Sequence, residues 1–274
     1  MAIKNILLYL TQDPRNDARI EAAIALAKTH ESHITALYVI SPPEMPAYIM
    51  AYIPAEVLDK QAADAAAAAA EFEARFRDLC EREGLSHEWR QQEGNSRTVA
   101  GLHARYADIV VIGQTAPADE RAEGTDGLAD ELVLSCGRPV LVIPYVGRYA
   151  DFGHCVLVAW DGSREATRAV HDALPILEKA NKVIVFAVNA ASKHHIPGTD
   201  ICAHLARHGI VAEAHHTVAR DIGVGDALLA AVSDFGADVM VMGAYGHSRV
   251  RELALGGATR SILETMTVPV LLSH

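Results

Sequence analysis

The chain has 274 residues, room for one large domain or two of ordinary size. Half of the residues are hydrophobic and only 5% aromatic, which suits helices packed on an α/β sheet better than an all-β sandwich. A formal net charge of -11 without a basic run argues against nucleic-acid binding, and no apolar run is long enough to span a bilayer. The four cysteines (Cys80, Cys136, Cys155, Cys202) are dispersed and read as free thiols of a reducing compartment. The N-terminus enters a strand directly, without a charged leader before a cleavable apolar segment, so the expected location is cytoplasmic.

In chain order, Lys4–Leu10 reads as a buried strand. Asp17–His30 follows as a helix with Ile20, Ala23, Ile24 and Ala27 on one face. Ser32–Ile40 is a second strand, and the segment beginning Ser41-Pro-Pro-Glu-Met-Pro excludes helix and sheet alike. The apolar residues Met45, Tyr48, Ile49, Met50, Tyr52 and Ile53 of this insertion (41–60) fit a cleft cover and an interface equally well. An Ala-rich helix over Ala55–Glu83 stops at Gly84. Leu85–Gln91 (strand), Arg97–Tyr106 (helix), Ala107–Gly113 (strand), Leu128–Ser135 (helix) and Pro139–Ile143 (strand) complete the first series.

The order then restarts. Val156–Asp161, Arg164–Lys179, Val183–Asn189, Asp200–His208, Ala212–Val218, Asp226–Phe235, Ala237–Gly243, a helix from Ala258 and Pro269–His274 repeat the same alternation. Ala107-Asp-Ile-Val-Val-Ile-Gly113 matches Ala237-Asp-Val-Met-Val-Met-Gly243 at an offset of 130, whereas the first strands lie 150 apart. The first copy therefore carries about 20 extra residues, expected between its second strand and second helix. The expected fold is α/β: two tandem Rossmann-like domains, residues 1–148 and 153–274. Each is a five-stranded parallel sheet with helices on both faces, because crossovers between parallel strands are right-handed. Ligands in such sheets bind beyond the carboxyl ends of the strands, where Asp161 and Gly243 would project.

In the second copy, Gly243 and Gly246 follow a strand, and Gly256 and Gly257 precede a helix beginning Ala258-Thr259. Glycines permit close backbone approach, and a helix start offers unpaired N–H groups to an anion. Gly-x2-Gly-x9-Gly, together with the opening Val156-Leu-Val-Ala-Trp-Asp161-Gly-Ser163 and the closing Pro269-Val-Leu-Leu, resembles the universal stress protein family in its tandem form. The resemblance covers the whole chain and implies an adenine nucleotide alpha hydrolase-like fold. It further implies ATP, or AMP or ADP, with Mg²⁺ as an accompanying ion. Asp161 and Val188, beside Ala159 and Trp160, would flank adenine and ribose; Met242 and Gly243 would line the nucleoside. Gly246, Gly256, Gly257, Ala258 and Thr259 would hold phosphates, with His247 and Tyr245 in the same loop. Gly257 stands where the family has Ser or Thr, so one hydroxyl donor is missing, a loss of about 0.5–1.5 kcal/mol.

The first copy has Gln114-Thr-Ala116 after Gly113 and lacks the second glycine, and Asp13 is out of register, so it reads as a partner without family-type nucleotide binding. The resemblance also implies pairing of the two domains through edge strands and a homodimer of tandem chains. His204 and His208 stand at i, i+4, a spacing open to metal, but read as solvated surface residues; Ser163 reads as a helix cap rather than a nucleophile. No catalytic residue is assigned. Three functions stay open: a non-catalytic or signalling nucleotide module of stress response, a slow ATPase using Asp161, and a scaffold acting through protein partners.

Overall fold

The computed structural model describes residues 2–11, 13, 15–41, 52–115, 127–189, 198–246 and 257–274, with Asp59 described by its backbone alone. The first half runs β1 (Asn5–Leu10), α1 (Asn16–His30), β2 (His33–Ile40), α2 (Ala55–Arg82), β3 (His87–Glu93), α3 (Ser96–Ala104), β4 (Ile109–Gly113), α4 (Leu128–Ser135) and β5 (Val140–Ile143). The second runs β6 (Cys155–Ala159), α5 (Arg164–Leu177), β7 (Lys182–Val188), α6 (Thr199–Arg207), β8 (Ala212–Thr217), α7 (Val224–Phe235), β9 (Val239–Gly243), α8 (Ala258–Thr265) and β10 (Val270–Ser273).

The two halves share one ten-stranded sheet, ordered β3-β2-β1-β4-β5-β10-β9-β6-β7-β8. Within each half every pairing is parallel; the join between β5 and β10 is antiparallel, with Leu141 opposite Leu271. The expected five-stranded parallel units are therefore present, and their edges fuse within one chain. Because successive strand residues point to opposite faces, Ile6 and Leu8 enter one core while Leu7 and Tyr9 enter the other. Each core continues across the seam, through Leu141 and Leu271 on one face and through Val140, Val142, Val270 and Leu272 on the other. Burial on both faces explains why the central strands read as unbroken Val, Ile and Leu runs.

The repeated Ala-Asp dipeptide has a structural role. Asp108 accepts hydrogen bonds from the Lys4 and Asn5 backbone N–H groups at 2.8 and 2.9 Å. Asp238 does the same at the start of β6, accepting from Gly153, His154 and Cys155 at 3.0–3.1 Å.

One expectation is corrected. The extra length of the first half lies mainly within a helix, not ahead of it: α2 has 28 residues, against 9 in its counterpart α6. The long helix carries Phe72 and Phe76, which pack with Tyr38 and Trp89 over β2 and β3; the Tyr38 and Trp89 rings stack at 5.7 Å. Of the insertion, Met45, Tyr48, Ile49 and Met50 lie outside the described residues, while Tyr52 is 86% exposed. The outer strands β3 and β8 are polar and half-exposed, which blunts edge-to-edge pairing.

Candidate functional site

In the second half the order β8-β7-β6-β9-β10 places the switch point between β6 and β9, whose ends are Ala159 and Gly243. A cavity of about 520 Å³ opens there, within the range of small-molecule sites. Its apolar wall is Ala159, Trp160, Phe186, Val188, Val224, Leu228 and Met242. Its other wall is Asp161, Ser163, Glu165, Gly243, Tyr245, Gly246, Gly257, Ala258 and Thr259. Ten of the residues selected from the sequence thus meet around one space; His247 and Gly256 lie outside the described residues.

Local chemistry explains the shape. The β6 strand ends with Trp160 N donating to Phe186 O at 2.9 Å. Asp161 then closes a tight turn, its Oδ1 accepting from Ser163 N at 2.9 Å, with Gly162 at φ 75° supplying the left-handed step. Ser163 caps α5, its Oγ accepting from Ala166 N at 3.1 Å, as the cap reading expects.

Gly243 is required for packing as much as for any ligand. A Cβ there would lie under 3.0 Å from backbone atoms of Glu165 and Ala166, so the end of β9 and the start of α5 touch through the glycine. Tyr245 takes φ 58°, an uncommon conformation for a bulky residue. Its N–H points to Thr259 Oγ1 at 3.4 Å, and its hydroxyl donates to Asp130 of α4, across the seam. Thr259 is buried at 3% exposure beside this loop. The α8 helix has Gly257 at its N-cap, a residue that brings no side-chain cap, and Gly257, Ala258 and Thr259 line the cavity at the start of the helix.

Sequence reasoning missed Glu165, Phe186, Val224 and Leu228 as lining residues. The two aliphatic residues and Phe186 read as ordinary core, and Glu165 as a helix-start acid. Only the cap assignment at Ser163 carried a signal, since it fixes Glu165 in the first turn of α5, beneath the loop.

The corresponding corner of the first half is filled. The α1 helix starts two positions later relative to its strand than α5 does, and Arg19 folds its guanidinium over Gly113. Arg19 pairs with Asp13 and donates to Asn16 Oδ1 at 3.1 Å, while Arg15 contacts Asp13 at 3.1 Å and lies over the Tyr145 ring at 4.3 Å. Burial pushes the Asp13 carboxyl up, but Arg19 and the Arg15 hydrogen bonds outweigh it and hold the group below the usual aspartate range.

A sequence model of the universal stress protein family matches residues 2–144 and 190–274. The chain belongs to the universal stress protein family. It is similar to universal stress protein Slr1230 of Synechocystis sp. (strain ATCC 27184 / PCC 6803 / Kazusa), 26% identical over 170 residues, which span 60% of this chain and 57% of that protein. Its fold matches the crystal structure of a universal stress protein from Archaeoglobus fulgidus DSM 4304 at a TM-score of 0.77 and 17% identity, covering 98% of this chain and 95% of the other. A functionally unknown protein, PA1789, from Pseudomonas aeruginosa PAO1 matches at 0.62 and 16% identity, covering 99% and 92%. Identities this low speak for the shared tandem fold. For this universal stress protein, no helix among the described residues is long and apolar enough to cross a membrane. The His204 and His208 rings lie 4.9 Å apart, and no trio of His, Cys, Asp or Glu converges among the described residues.

Proposed function

We propose that the second half, residues 153–274, binds an adenine nucleotide and that the protein serves as a nucleotide-responsive, non-catalytic module of stress response in the cytoplasm. The carrying observation is the cavity that unites an apolar wall with a glycine loop and an uncapped helix start. The donor set fits the ligand. Phe186, Val188 and Met242 offer apolar contact to a base, and Asp161, exposed at the rim, offers an acceptor to ribose hydroxyls. Gly257 and the start of α8 line the same space as Gly246, and a helix start beside a glycine loop is an arrangement that receives phosphate. The missing hydroxyl at Gly257 is offset in part by Thr259, whose Oγ1 accepts from the loop and keeps its own proton for donation. The first half, residues 1–148, is a structural partner in this reading, because Arg19 already occupies the corner beside Gly113.

Slow ATP turnover is the second reading, and it draws on the two carboxylates, Asp161 and Glu165, that line the cavity. Mass spectrometry of small molecules released from purified protein tests both. AMP, ADP or ATP recovered from the wild type and absent from Gly246→Val supports the module. Steady conversion of ATP to ADP supports the enzyme. No released nucleotide, and no calorimetric binding at millimolar ATP, overturns both and leaves a scaffold acting through protein partners.

A further inference from the structure

Among the described lining residues, Glu165 is a buried carboxylate that a phosphate site does not call for. Its side chain is 6% exposed and lies in the first turn of α5. Arg164, itself 86% exposed, reaches Oε1 with Nε at 3.0 Å and with Nη2 at 2.9 Å. Oε2 is turned the other way, toward the glycine loop: a Cβ on Gly246 would sit 3.1 Å from it. The described lining contains a second carboxylate, Asp161, and no Lys, Arg or His. Helix α5 holds Glu165 in place, because Gly243 packs directly on its backbone. The backbone from which the carboxylate projects is therefore fixed against the end of β9.

We propose that Glu165 is a charge filter, which makes triphosphate binding conditional on a divalent cation carried with the nucleotide. The inference rests on the second half being a nucleotide site, and it specifies the ionic form that the site accepts. Charges a few ångströms apart in a partly desolvated cavity interact far more strongly than in water. A polyphosphate chain entering beside Gly246 meets Oε2, and each unneutralised phosphate adds repulsion. A bound Mg²⁺ reverses the balance by placing positive charge between phosphate oxygens and the carboxylate. A nucleoside monophosphate, with less charge, is bound with weaker dependence on the cation.

The test is calorimetric titration of the full chain with ATP and with AMP, each in excess Mg²⁺ and in EDTA. Wild-type protein is expected to lose about tenfold or more in ATP affinity when Mg²⁺ is removed, and less for AMP. Glu165→Gln, which keeps the side-chain volume, is expected to bind ATP with equal affinity in both buffers. Arg164→Ala, which leaves the carboxylate and removes its guanidinium, is expected to steepen the dependence. Magnesium-independent ATP binding by the wild type overturns the filter and leaves the nucleotide site standing, as does full dependence retained in Glu165→Gln. Absence of all nucleotide binding in both buffers overturns the site itself and the filter with it.

Discussion

In the first half the Arg19 guanidinium lies against Gly113 and pairs with the Asp13 carboxylate, each side chain only 8% exposed. Its counterpart corner in the second half holds the cavity, with Gly243 packed on the helix backbone instead. One repeat thus keeps a strand-end glycine to admit its own arginine, and the other keeps it to bring helix and strand together. The same residue type serves two packings.

Arg19→Ala leaves Asp13 buried without its main cation. Breaking a buried pair from one side costs roughly 3–5 kcal/mol, more than the pair contributes against an apolar replacement. The urea midpoint is expected to fall at unchanged slope, and Asp13→Asn combined with Arg19→Met is expected to recover part of the loss. The pH dependence follows from the lowered Asp13 carboxyl. Its stabilisation is complete above the ordinary aspartate value of about 3.9 and is lost as pH falls through the lower folded value. Asp13→Asn should flatten the acid limb of the stability curve below about pH 4.

Gly243→Ala tests the other packing. The added methyl meets backbone of Glu165 and Ala166, which cannot rotate away, so β9 and α5 must separate. Overpacking of this kind costs roughly 1–3 kcal/mol. Gly113→Ala instead meets the end of a long side chain, Arg19, and its cost is the displacement of the ion pair with Asp13. Thermal melts of the two variants, each with and without ATP, separate the cases. The Gly243 variant is expected to lose both stability and ligand-induced stabilisation, the Gly113 variant only stability.

The sheet was legible in the sequence because both faces of the central strands are buried, which leaves unbroken apolar runs, and because the repeat shows each run twice. Gly243, Gly246 and Gly257 were legible from their spacing at a strand end and a helix start, although the first copy lacks the second glycine. Arg19 was not: an arginine next to the apolar face of a helix ordinarily extends into solvent, and only Gly113 marks the space that draws it inward. The length of α2 was legible in its Ala-rich run, but the Pro-rich stretch before it drew the extra residues of the first half to a loop, although Phe72 and Phe76 of the helix carry the contacts. Glu165 was missed because nothing in spacing tells which way a first-turn acid points. Contacts across the seam, such as Gln114 Nε2 donating to Leu263 O at 2.8 Å, join residues 149 positions apart and leave no local pattern.

His154 offers a surface check. Its ring nitrogen Nε2 lies 2.7 Å from Asp151 Oδ1, and this hydrogen bond with its charge raises the imidazole above the usual histidine range. A raised folded value means that the interaction stabilises below the unfolded histidine value of about 6.5 and is lost as pH rises through the folded one. NMR titration of the His154 ring should show a midpoint above 6.5, and Asp151→Asn should bring it down. An unshifted midpoint in the wild type would show that this pair does not persist in solution.

The contact between Tyr245 and Asp130 carries the strongest consequence for how the halves communicate. Tyr245 stands in the glycine loop at φ 58°, and its hydroxyl donates to a carboxylate on α4 of the other half. A loop that holds a strained residue needs such an anchor. Hydrogen bonds to charged groups contribute about 1.5–3 kcal/mol, so Tyr245→Phe is expected to lower stability within that range, reduced by whatever solvent takes the place of the hydroxyl. A double-mutant cycle with Asp130→Asn isolates the pair, and the coupling should be at least about 0.5 kcal/mol if the two groups act together. If the anchor also sets the loop for ligand, Tyr245→Phe and Asp130→Asn should weaken ATP binding by similar factors, although Asp130 does not line the cavity. Additive effects on stability, together with unchanged ATP affinity in Asp130→Asn, would show that the contact fastens the halves without reporting on the site.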